Sequence, residues 1–185
     1  MTSKTRFATA GWVALMLGIS AAADDATQTI HAGALSFQAP KAWKQERPSN
    51  AMRKAQIKVD PIKGDTDPSE LAVTSFAGGA GTLDANVKRW EGQFEGDDGK
   101  TPKAKVETKK GKNVEVTRVE VTGRYVAAMT PGQPGKNDKP NYRLLGAIVN
   151  TPEASYYFKL TGPDKTVAST SKDFDAMIES MTMDQ

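Results

Sequence analysis

"YRLLGAIVNTPEASYYFKLTG", residues 142–162, holds two apolar runs separated by the short stretch "TPEA". The first run, "YRLLGAIV", is apolar at odd and even positions alike, as a strand is when both of its faces are covered. The second run follows a turn too short to hold a helix, so the two strands lie side by side and antiparallel. A central strand with both faces buried needs a layer on each side of the sheet, and the rest of the chain supplies candidates for both.

Upstream, "KAKVETKKGKNVEVTRVEVTGRY" (103–125) reads as a hairpin turning at Gly111. Val114 and Val116 share one parity and Val119 and Val121 the other, so a bulge is expected near Thr117 and Arg118. The stretch 126–141 is rich in Pro and Gly and too long for a simple turn. Downstream, a helix is expected to start near Pro163, whose missing N–H costs nothing in a first turn. Val167, Phe174, Ile178 and Met181 would share its buried face.

A hairpin and two more strands are legible toward the N-terminus. "TIHAGALSFQAP" (29–40) suggests a hairpin about Gly33, with Leu35 and Phe37 on one face, Pro40 at its end and Trp43 in the core beside it. Residues 24–28 read as a frayed leader. In "AMRKAQIKV" (51–59), Ala55, Ile57 and Val59 point one way and Lys54, Gln56 and Lys58 the other, and Arg53 shares the apolar parity. "LAVTSF" (71–76) is a further strand. Between the strands, Leu83, Val87, Trp90 and Phe94 fall on one helical stripe behind Thr82 as N-cap. Strands in hairpins, with no regular strand–helix alternation, indicate an α+β fold: a mostly antiparallel β-sheet flanked by helices.

The N-terminus reads as a signal peptide over residues 1–23. Lys4 and Arg6 form its charged start, residues 12–19 its apolar middle, and Ala21, Ala22 and Ala23 its cleavage site. Residues 24–185 would then form one domain, periplasmic or secreted, with no transmembrane segment after cleavage. The segment carries two of the 25 basic residues and none of the 22 acidic ones, which leaves 23 against 22. So balanced a chain has no global field for nucleic acid. It contains no cysteine, which excludes disulfides, thiol catalysis and thiolate metal sites.

The candidate chemistry is sparse. "AGGAGTLD" (77–84) departs from both phosphate-binding fingerprints: Asp84 follows where a dinucleotide loop needs a third Gly, and the loop has no Lys. Asp84 also occupies the positive end of the helix dipole. Gly78, Gly79 and Gly81 are therefore read as a tight connection, and Pro163-Asp164-Lys165-Thr166 as a strand-to-helix junction. His31 is the only histidine. The acids of "GDTDP" and "EGDDGK" lack calcium-loop spacing and read as solvated turns. Neither metal nor cofactor is expected.

Asn86, Arg89 and Gln93 form a polar stripe beside the apolar face of the same helix, where they could bind a carboxylate, sugar or peptide, with Arg53 as a neighbour. Equally, Asn86 and Gln93 could serve loop backbone, Arg89 pair with an acid, and Arg53 cap a sheet end.

"FQAPKAWK", "MRKAQIKV", "ELAVTSF", "ANVKRWEGQF" and "YYFKLTGPDKTV" together resemble small exported bacterial proteins of unassigned function related to the PsbP/DcrB group, whose fold also occurs in Ran-binding Mog proteins. The resemblance spans most of residues 34–181. It implies a PsbP-like α/β/α sandwich, and binding or assembly rather than catalysis; it transfers no site residue. The expectation is an exported, non-catalytic binding or accessory protein of the cell envelope, its partner an envelope protein or a small ligand. One alternative is an envelope hydrolase using carboxylates and Arg at the sheet edge. Another is contact with lipid or an anionic polymer through the hairpin from Lys100 to Lys112, which holds six lysines and one acid, Glu107.

Overall fold

The computed structural model describes residues 26–112, 114–129, 135–151 and 153–184. The expected signal peptide lies outside them. The chain begins with β1 (Thr27–Ala32), β2 (Leu35–Pro40), β3 (Lys44–Glu46), β4 (Arg53–Val59) and β5 (Ser69–Ala77). Helix α1 (Leu83–Glu91) follows, then β6 (Phe94–Glu95), β7 (Lys105–Lys110), β8 (Glu115–Tyr125), β9 (Lys139–Asn150) and β10 (Ala154–Pro163). Helices α2 (Asp164–Ser169) and α3 (Ser171–Ser180) and the short β11 (Thr182–Met183) close it.

The main sheet runs β3-β4-β5-β10-β9-β8-β6, with β7 also paired to β8, and every pairing in it is antiparallel. β9 lies between β10 and β8, and its two faces feed two cores. Leu145, Ala147 and Val149 pack with Ile57, Leu71, Phe158, Phe174 and Ile178. Leu144 and Ile148 pack with Val87, Trp90, Phe94, Val119 and Tyr157. The first core is closed by α2, α3 and a separate three-stranded sheet, β1-β2-β11, and the second by α1 and β6. The architecture is the expected antiparallel sheet between layers, except that one layer combines helices with a small sheet.

Double coverage also accounts for the valines of β8. Val116 joins the first core and Val119 and Val121 the second, and β8 pairs with β9 without a break from Val116 to Gly123. The bulge expected near Thr117 and Arg118 is absent; the register shifts between Gly123 and Tyr125 instead. Alternating faces needed no slip, because both faces are apolar.

Other expectations change at the ends of elements. Thr82 does cap α1, its hydroxyl accepting from the Ala85 N–H at 3.2 Å. The helix stops at Glu91, however, and Phe94 reaches the core from β6, while Leu83 is 41% exposed. The C-terminal helix is two helices, broken at Thr170. Pro163 ends β10, paired with Tyr142, rather than entering the first helical turn. Thr27 and Gln28 belong to β1 and not to a leader, and the Gln28 amide donates to the carbonyls of Pro40 and Trp43. The acids of "GDTDP" are tethers: Asp65 accepts from the Thr166 N–H and hydroxyl at 2.9 and 2.6 Å, and Asp67 from the Tyr142 hydroxyl at 2.7 Å.

An ion network fastens the helices to the first face. Arg118, only 4% exposed, donates to Asp175 at 2.8 Å, Glu120 at 2.9 Å and Ser171 at 3.0 Å. Arg143 in turn bonds Glu120 and Asp164. On the opposite face the fastening is steric. Trp90 lies directly over Gly146, where a Cβ would come within 2.3 Å of the indole ring.

Gly146→Ala should therefore lift α1 off the sheet and cost about 1–3 kcal/mol, the range for overpacking a dense core. Urea unfolding of this variant, alone and combined with Trp90→Leu, checks the cause. The second change should restore part of the loss. An unchanged midpoint for Gly146→Ala would show that the ring does not depend on this gap.

Candidate functional site

The residues singled out in the sequence come to two different uses. Asn86 is 2% exposed, and its amide donates to the carbonyls of Ala80 and Thr82 at 3.0 and 2.9 Å. It holds the glycine loop onto α1 and faces away from solvent. Gly78, Gly79 and Gly81 all have φ between +70° and +89°, which gives the loop its tight path from β5 into α1.

Arg89, Gln93 and Arg53 are gathered around a residue that sequence reasoning missed, Lys159 on β10. Its ammonium donates to the Gln93 side-chain oxygen at 2.5 Å and to the Tyr125 hydroxyl at 3.2 Å, and sits 5.2 Å from the centre of the Tyr125 ring. Register places Lys159 between Gly146 and Ala72, so it flanks the position where Trp90 seals the sheet. No carboxylate among the described residues forms an ion pair with it. Burial pushes the ammonium down to about 8; Glu70 opposes that shift, and the positive charges of Arg53 and Arg89 add to it.

Arg53 reaches this face because the strand slips. The register shifts between Arg53 and Ala55, which sets Arg53 opposite Thr74 and turns it away from the face of Ala55 and Ile57. Simple parity had put it with the apolar set. Its guanidinium lies 2.7 Å from Glu70 and donates to Gln56 at 2.9 Å. Arg89 is exposed, its guanidinium 6.0 Å from the centre of the Tyr157 ring, and among the described residues it has no acidic partner. Among the described residues, Arg53, Arg89 and Lys159 thus share one ion-pair partner, Glu70, while the only other acid bonded within the set, Glu46, accepts from the neutral Gln56. The three cations are a set of donors suited to oxyanions, with Arg89 able to present a planar fork.

A concavity of about 460 Å³ lies elsewhere, between the ends of β8 and β9 and the start of α2, lined by Glu95, Asp97, Arg124, Asn141, Arg143 and Asp164. Its arginines are already committed, Arg143 to Glu120 and Asp164, and Arg124 to Asp138 at 2.6 Å. His31 pairs with Asp184 at 3.0 Å. Among the described residues, no group of three or more His, Asp or Glu is placed to hold a metal ion.

No family model matches the chain, and no curated protein does. Among solved structures, it is similar to the cyanobacterial PsbP (CyanoP) of Synechocystis sp. PCC 6803. The TM-score is 0.52 at 14% identity, over 92% of this chain and 98% of that one. A crystal structure from Bacteroides thetaiotaomicron VPI-5482 aligns with a TM-score of 0.47 at 12% identity, over 82% of this chain and 46% of that one. The chain has a PsbP-like fold.

Lys159 makes stability depend on pH in a definite direction. Its folded value of about 8 lies below the ordinary 10.5, so between those values the unfolded chain holds a proton that the folded chain lacks. Stability from this group therefore rises with pH through that window and is constant below it. The stability of the wild type minus that of Lys159→Met should increase from pH 8 to pH 10, as read by urea unfolding. A difference independent of pH would show that Lys159 is solvated.

Proposed function

We propose that the chain is an exported, non-catalytic binding or accessory protein of the cell envelope, and that it docks its partner on the sheet face beside α1. The observation that carries this reading is the uncompensated charge of that face. Arg89 has only an aromatic ring beneath it, and Lys159 only neutral hydrogen-bond partners. Leaving a half-buried ammonium without a counter-ion is costly unless a ligand supplies one. The charged start, apolar middle and small residues of 1–23 support export, and no helix among the described residues is long and apolar enough to cross a membrane. A PsbP-like fold is consistent with an accessory role.

The lysine hairpin is a weaker docking surface, because four of its six lysines lie within ion-pair reach of an acid. Lys105 and Lys109 lie 2.8 and 3.8 Å from Glu107, and Lys103 lies 3.6 Å from Glu91. Affinity capture from the organism's own envelope separates the two surfaces. The partner retained by the wild type should be retained by Lys109→Gln/Lys110→Gln and lost by Arg53→Gln/Arg89→Gln. Loss through the hairpin variant alone would move the docking surface, and no specific partner at all would overturn the reading.

A further inference from the structure

We infer that the group docked on the α1 side of the sheet is an extended acidic peptide segment of a partner protein, with carboxylates two residues apart bridging Arg53 and the Arg89–Lys159 pair. This rests on the docking reading above and adds the chemistry of the partner.

Three features lead to a chain rather than a small anion. First, the cationic heads are spread out. Arg53, Thr74 and Tyr157 lie in register across β4, β5 and β10, a span of two strand spacings or about 10 Å. Arg89 stands over Tyr157, and Lys159 follows two residues along the same face. A compact oxyanion would meet one end of this row. On an extended peptide, side chains at i and i+2 project to the same side about 7 Å apart, which suits both ends at once.

Second, donors are left over. An ammonium has three N–H groups, and Lys159 uses two, on Gln93 and Tyr125. The fork of Arg89 makes no hydrogen bond among the described residues, and Arg53 shares one carboxylate whose side chain is 46% exposed. Third, the face is open. Ala72 and Thr74 between the cations are half-buried and Arg89 is exposed, whereas a small-molecule site would enclose most of its ligand. Arg53, Arg89 and Lys159, with Glu70 as their single ion-pair partner among the described residues, complement a segment carrying two or more carboxylates.

The test is fluorescence anisotropy with an end-blocked, fluorescein-labelled Gly-Glu-Ala-Glu-Ala-Glu-Gly peptide, its Gln counterpart, and glutarate and inorganic phosphate as competitors. The Glu peptide should bind at least tenfold more tightly than the Gln peptide. Arg89→Gln should weaken it about tenfold, the effect of losing one charge-assisted hydrogen bond. Arg89→Lys, which keeps the charge and the fold, should recover only part of that loss. Lys109→Gln/Lys110→Gln should change it less than about twofold.

Equal binding of the Glu and Gln peptides would overturn the inference. So would a hairpin variant as damaging as Arg89→Gln. Displacement by glutarate or phosphate at the peptide's own affinity would identify a free acid as the occupant and overturn it likewise. If envelope capture depends on Arg89 while the peptide fails to bind, this inference falls alone; if capture fails too, the docking reading falls with it.

Discussion

A nine-residue helix has to cover one face of a sheet that is seven strands wide. At 1.5 Å per residue α1 is about 14 Å long, whereas seven strands at 4.8 Å spacing span about 29 Å. Trp90 over Gly146 decides where that short cover lies, because only there can the ring descend to the backbone of the central strand. Beneath it the sheet is apolar, with Leu144, Ile148, Val119 and Val121. Beyond it, toward β4 and β5, the same face carries Arg53, Gln56, Lys58, Glu70 and Thr74. Lys159 sits at the boundary, too far under the helix to be fully hydrated and too far from any acid to be paired.

The two faces spend their charge differently. On the face of α2 and α3, Arg118 and Arg143 are consumed in a continuous network with Asp175, Glu120 and Asp164, which ties both helices to β8 and β9. Breaking one partner of such a buried pair strands the other, so the network favours a single packing of the helices rather than a binding surface. On the face of α1 the cations outnumber the acids. That asymmetry, more than any cavity, distinguishes the surface proposed for docking from the surface that holds the fold together.

Local chemistry was legible in the sequence wherever one element decided the outcome. The both-parity run of β9, the alternation of Ala55, Ile57 and Val59, the Thr82 cap and the left-handed glycines of the loop follow from periodicity and backbone freedom. What depended on a partner strand was not legible. Arg53 changes face through a register shift that only β5 defines, and β8 needed no bulge once both of its faces were known to be covered. The stripe of Asn86, Arg89 and Gln93 divides for a similar reason: Asn86 turns in to the loop carbonyls, while Gln93 lies past the helix end and meets β10. Lys159 gave no signal of its own. A lysine alternating with Phe158 and Leu160 reads as solvent-facing until the length of the helix above it is known.

The uncompensated face depends on Lys159 being desolvated at the edge of α1 with no carboxylate paired to it, and that state can be read directly. Heteronuclear NMR with lysine side chains labelled at Cε and Nζ follows each ammonium through its own titration. Assignment by Lys159→Arg identifies the resonance. A midpoint of about 8 is expected for Lys159, below the ordinary 10.5. A midpoint at the ordinary lysine value near 10.5 would show a solvated or ion-paired ammonium, and would contradict the uncompensated face on which the functional reading is built.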